Sequence, residues 1–124
     1  MNIKLTASIL IFSTFISCKK SGDDTSDSTT TVKYQVTSSN TTGQFMSAYN
    51  NNAGQYISGL YKADWETSFN PTNKPFTATL NVSPYNAVMT VTLKIFVNNT
   101  VVKEVTGQIS NTAGTTQSIQ YVVN

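Results

Sequence analysis

The sequence predicts an all-β protein whose folded part is a single antiparallel β-sandwich of about seven short strands. Three observations carry that expectation. Apolar and polar residues alternate with a period of two in several segments, beginning with Val32-Lys33-Tyr34-Gln35-Val36-Thr37. Stretches rich in Asn, Gly and Pro separate these segments. No helical periodicity lasts beyond about two turns.

The elements follow in order. Val32 to Thr37 reads as a half-buried strand, and Gln44 to Tyr49 as a second. Asn50-Asn51-Asn52-Ala53-Gly54 is a turn, because these residues tolerate left-handed backbone. Gln55 to Lys62 resumes a strand, and Asp64 to Phe69 continues it or forms another short one. Asn70 to Pro75 holds two prolines that interrupt any ladder, so it is a loop. Phe76 to Val82 alternates again, and Ser83-Pro84-Tyr85-Asn86 turns the chain. Met89, Val91, Leu93, Ile95 and Val97 share one face of a long strand, with Phe96 the exception on the other. Asn98-Asn99, between two apolar runs, is a hairpin signal that requires positive φ at both residues. Val101 to Thr106 is the return strand, Gly107 to Gly114 is less regular, and Ser118 to Val123 is the last strand.

The amino terminus reads differently. Lys4 and the apolar stretch Leu5 to Ile16 form a secretion signal, and about 20 apolar residues would be needed to span a bilayer. Phe15-Ile16-Ser17-Cys18 resembles a bacterial lipobox, which implies cleavage between Ser17 and Cys18 and diacylglycerol on the Cys18 thiol. Two or three acyl chains, at about 0.8 kcal/mol per buried methylene, anchor a protein stably. The expected organisation is therefore a signal over 1–17, a polar tether over 18–31 and one domain over 32–124. Ser21-Gly22-Asp23-Asp24 resembles the acidic export signal that Bacteroidota place after a lipidated cysteine, and an ordinary soluble linker is the equal alternative. Asp27-Ser28-Thr29 resembles the O-glycosylation motif of the same phylum. The implied place is the cell envelope, at the outer membrane, periplasmic or facing outward.

Composition narrows the function. Charged residues are 11% of the chain, and Arg-rich or lysine-clustered patches of the kind nucleic acid requires are absent. The sequence has no His and one Cys, so the commonest catalytic base and metal ligand is missing and no internal disulfide forms. No cofactor or metal site is expected. Within the expected folded part the one close carboxylate pair, Asp64 and Glu66, shares a strand face while Trp65 takes the other. Glycosidase chemistry wants carboxylates at a defined gap, usually from different strands, so a solvated face with Trp65 in the core is the stronger reading. Tyr49, Tyr56 and Tyr61 are the candidates for a ligand surface, against the commoner reading of core or rim packing.

Tyr34-x-Val36-Thr37, then Trp65, Phe69 and Phe76, then Ile95-Phe96-Val97-Asn98-Asn99-Thr100-Val101-Val102-Lys103-Glu104 recur in an order that resembles the MmpS family of small membrane-anchored accessory proteins. The resemblance spans about residues 32 to 123. Where that family has Gly at the second turn position this chain has Asn99, the best substitute for such backbone. The resemblance implies an immunoglobulin-like sandwich and, for the mycobacterial members, assistance to an RND-type lipid exporter. Those members carry a transmembrane helix where this chain carries a lipobox. The expected function is a lipid-anchored, non-enzymatic binding or scaffolding sandwich, an accessory to an envelope transporter. The alternative is a surface module for glycan or protein.

Overall fold

The structure is a computed structural model that describes residues 29–124. The expected signal, Ser17, Cys18 and Ser21-Gly22-Asp23-Asp24 lie outside the described residues. The described part is a β-sandwich of eight strands: β1 Val32–Ser38, β2 Gln44–Asn50, β3 Tyr56–Lys62, β4 Trp65–Phe69, β5 Phe76–Pro84, β6 Met89–Val97, β7 Thr100–Ile109 and β8 Gln117–Val123. One sheet has the order β4-β1-β6-β7 and the other β3-β2-β5-β8, with every pairing antiparallel.

Strict alternation explains why these segments become strands. Tyr34 and Val36 of β1, Leu80 and Val82 of β5, and Val91, Leu93 and Ile95 of β6 point inward and are fully buried. Burying each such side chain contributes about 1.5–3 kcal/mol, whereas a register slip of one residue would expose the whole set. β6 and β7 turn at Asn98-Asn99, whose φ values of 49° and 66° are the positive ones that the hairpin requires.

The structure sharpens three details of the sequence-based expectation. The sandwich has eight strands because Trp65–Phe69 crosses to the other sheet at Ala63-Asp64 instead of continuing β3. β7 does not stop at Thr106, since Gly107, Gln108 and Ile109 still pair with Val91, Thr90 and Met89. Phe96 breaks the apolar face because it points outward, where the Lys33 Nζ lies 4.2 Å from its ring centroid. The β6–β7 register also shifts beside Phe96, so that Val102 packs on the core while Lys103 stays exposed.

The two long sides of the sandwich are built differently. β7 and β8 lie against each other, and Gln117 Nε2 donates to the Gln108 carbonyl at 3.2 Å. A backbone bridge between Ser110 and Thr115 extends that closure. On the other side β3 pairs only with β2 and β4 only with β1 among the described residues, so both strands are edges. Their inward side chains include the rings of Tyr61, Trp65 and Phe69, which fill the gap between the sheets from that side.

Candidate binding surfaces

The chain enters the fold at a defined pole. Immediately ahead of the expected boundary at Val32, Thr31 N donates to Asn98 Oδ1 at 2.9 Å, and Asn98 N donates to the Thr31 carbonyl at 2.8 Å. Asn70 Nδ2 donates to the Thr30 carbonyl and to Thr31 Oγ1, both at 3.0 Å, and Lys74 Nζ reaches Thr30 Oγ1. The turn after β6 and the loop after β4 thus grip the start of the described chain. The turn between β2 and β3 shares this pole, because Thr72 N donates to the Asn52 carbonyl at 2.9 Å.

Asn50, which the sequence suggests as a turn residue, is instead a buried plug at this pole. β2 and β5 stop pairing after Tyr49 and Leu80, and the Asn50 amide completes the ladder. Its Oδ1 accepts from Thr79 N at 2.8 Å and from the Tyr34 hydroxyl at 2.7 Å, while its Nδ2 donates to the Thr77 carbonyl. Burial pushes the Tyr34 hydroxyl well above its ordinary value of 10.0, and the hydrogen bond from Thr79 only partly opposes this. Asn51 is equally occupied, since its Oδ1 caps Ala53 N and Gln55 N at 3.0 Å each. Beside them lies an open cleft of about 260 Å³, lined by Asn52, Asn73, Pro75 and Thr77 and without a charged side chain.

The three tyrosines expected to carry a ligand surface fall on two faces. Tyr49 and Tyr61 point inward and are half-buried, stacked on Trp65 with ring centroids 5.3 Å and 4.6 Å apart. The array continues through Tyr34, Phe69 and Phe76 at centroid spacings of 5.4–5.5 Å. Burial raises the Tyr49 hydroxyl above its ordinary range, and its hydrogen bond with Tyr61 adds to the rise. The Tyr61 phenol lies over Gly59, where a Cβ would stand 2.7 Å from its oxygen. Tyr56 stands at the start of β3 and is 68% exposed.

The outer faces of the sheets contrast in charge. Across β4-β1-β6-β7, Glu66 pairs with Gln35, Gln35 with Lys94 and Lys94 with Glu104. Lys33 lies 4.0 Å from Glu66, and Lys94 lies 3.9 Å from Glu104. These exposed ion pairs contribute at most about 1 kcal/mol each but cover the face with charge. The outer face of β3-β2-β5-β8 presents Ser58, Ala48, Thr79, Asn81 and Gln120, with Lys62 at one corner. Met46 and Leu60 are direct cross-strand neighbours there, 43% and 42% exposed.

Asp64 and Glu66 are both exposed, and Glu66 is engaged by Gln35 Nε2 at 3.2 Å. Among the described residues no group of three or more His, Cys, Asp or Glu side chains is placed to hold a metal ion. No described helix is long and apolar enough to cross a membrane. Sequence reasoning places Asn50 in a turn and does not single out Met46, Leu60 or Ile57 as surface groups. Met46 and Leu60 hold the outward positions of their strands, and that alternation was the available signal. No family model matches the chain, and no curated protein matches it.

Proposed function

We propose that this protein is a lipid-anchored binding or scaffolding module of the cell envelope, without enzymatic activity of its own. One observation supports it above the rest. The chain enters the sandwich at a gripped pole, leaving the outer face of β3-β2-β5-β8, uncharged except for Lys62 at one corner, beside a tether of about 11 residues (19–29). That stretch, 12 residue steps from Cys18 to Thr30, reaches at most about 40 Å when extended, so a domain anchored through Cys18 works close to the membrane surface. Met46, Leu60 and Tyr56 on that face are the groups that a partner would cover. An envelope transporter is the partner implied by the sequence resemblance.

The experiment is fractionation of cells expressing the full chain or its Cys18→Ala variant, with a photo-crosslinking residue at Met46 or, as control, at Thr106. The full chain partitions with membranes and gives an envelope-protein adduct from position 46 alone. Equal partitioning of the variant sinks the anchor, and equal adducts from both positions sink the binding face.

A second reading, a glycan module, draws on the uncharged cleft lined by Asn52, Asn73 and Pro75. Amides and a proline ring suit a neutral sugar better than an ion. It predicts saccharide binding that Asn73→Ala weakens and Met46→Ala does not.

A further inference from the structure

The open side of the sandwich has features that a single copy does not use. Ile57 lies directly across from Tyr49 and so points inward, yet it is 39% exposed. Further along the same open side stand Tyr61 and Trp65, half-buried at the two strand edges. Exposed edge strands are commonly blunted by proline, a bulge or an inward charge. β3 and β4 carry none of these.

We propose that a second copy of this chain docks on the open side. β3 of each copy pairs with β4 of the other about a two-fold axis parallel to the strands. Direction supports this arrangement. β3 begins and β4 ends at the same pole, as the Thr72–Asn52 hydrogen bond requires, so the two strands run in opposite senses. Rotation about an axis along the strands preserves direction, and β3 therefore meets the partner's β4 antiparallel. Because the rotation also exchanges the two layers, both joints form at once. Each four-stranded sheet then continues into the partner's opposite sheet, giving two eight-stranded sheets.

Charge supports the same geometry. Lys62 closes β3 on its outer face, and Glu66 stands on the outer face of β4 near the same end of the sandwich. The rotation places them on one continuous surface near each other, once in each joint. Ile57, Tyr61 and Trp65 of both copies then meet across the axis, away from water. The alternative pairing of β3 with itself forms one joint only and sends the two amino-terminal ends to opposite poles. The proposed axis keeps both ends at one pole, which suits two chains tethered to one membrane. The pairing itself does not depend on the anchor.

The test is disulfide trapping of the full chain in its producing cells. Lys62→Cys and Glu66→Cys are made as separate variants and coexpressed, then exposed to a mild thiol oxidant. The expected result is a covalent dimer at twice the monomer's mass from the mixture, at least tenfold more abundant than from either variant alone or from the chain with native residues at both positions. Gln108→Cys with Gln120→Cys, on the closed side, yields none. Ile57→Lys added to the trapping pair lowers the dimer at least tenfold, and the milder Ile57→Thr lowers it by less while keeping strand propensity. Absence of the mixed dimer overturns the proposal, as does a dimer indifferent to both Ile57 substitutions. A cross-link to some other protein in its place assigns the seam to a foreign strand and overturns it equally.

Discussion

The two sides of this sandwich solve one problem in opposite ways. Where β7 approaches β8, a side chain replaces the missing ladder: Gln117 reaches the Gln108 carbonyl, and Gly107 leaves room for it, since a Cβ there would stand 2.2 Å from Gln117 Nε2. Where β3 faces β4, the rings of Tyr61, Trp65 and Tyr49 hold the sheets, while the edges keep their outward backbone groups free of described partners. Polar closure on one side finishes a surface. Aromatic filling on the other fixes the spacing of the sheets and leaves two unpaired edges that another strand can use.

Substitutions that break the comparison separate these roles. The largest effect is expected at Asn50, which ties the aromatic array to the β2–β5 ladder at the pole. Asn50→Ala leaves Thr79 N and the Thr77 carbonyl without their partner, and leaves the Tyr34 hydroxyl only the Asn50 backbone carbonyl, at 3.1 Å. At roughly 1–3 kcal/mol for each of the two groups left unsatisfied, a loss of about 2 kcal/mol or more is expected in urea unfolding. A loss under about 1 kcal/mol would mean that the plug is incidental. Next comes a matched pair of glycine changes. Gly59→Ala drives a methyl into the Tyr61 ring, which is held by Trp65, and costs about 1–3 kcal/mol. Gly107→Ala displaces only the flexible end of Gln117 and costs about 1 kcal/mol through one exposed hydrogen bond. Thermal melts of the two variants side by side decide this, and the reverse order would contradict the contrast between rings and side-chain bridge.

Smaller effects sharpen it. Ser47 is fully buried opposite Gly59, and its Oγ has no hydrogen-bond partner. Ser47→Ala removes a desolvated hydroxyl and is expected to leave stability unchanged or raise it by about 1 kcal/mol. A clear loss would show that the hydroxyl is bonded in solution. The pH dependence comes from Tyr34 and Tyr49. Both hydroxyls are raised by burial, so the folded state keeps protons that the unfolded chain releases near pH 10. Their contribution is intact below pH 10 and falls as pH rises above it. Melting temperature should therefore decline steeply above pH 10, and Tyr34→Phe, though less stable at neutral pH, should decline less.

Much of this fold is legible in the sequence, for a physical reason. Alternation reports which residues face the core, so β1, β5, β6 and the Asn98-Asn99 hairpin are readable one strand at a time. Which strand lies at an edge depends on pairing order, and no single strand encodes that. Trp65 illustrates the limit. Its inward direction follows from its place between Asp64 and Glu66, but its half-burial follows from β4 being the edge of an open side. Asn50 illustrates another. Next to Asn51-Asn52 it has the composition of a turn, and its burial depends on Tyr34 and Thr79, which are distant in sequence. Chemistry alone groups the three tyrosines, and strand parity separates Tyr56 from Tyr49 and Tyr61.

The difference between the two sides can be read most directly from Trp65, the only tryptophan in the chain and a resident of the open seam. Its emission should be recorded on the purified full chain in detergent across a dilution series, with Ile57→Lys alongside. If a second copy covers the seam, emission moves to longer wavelength as the protein is diluted, and the variant starts at the long wavelength and stays there. Emission that is independent of concentration and identical in the two proteins would contradict the account.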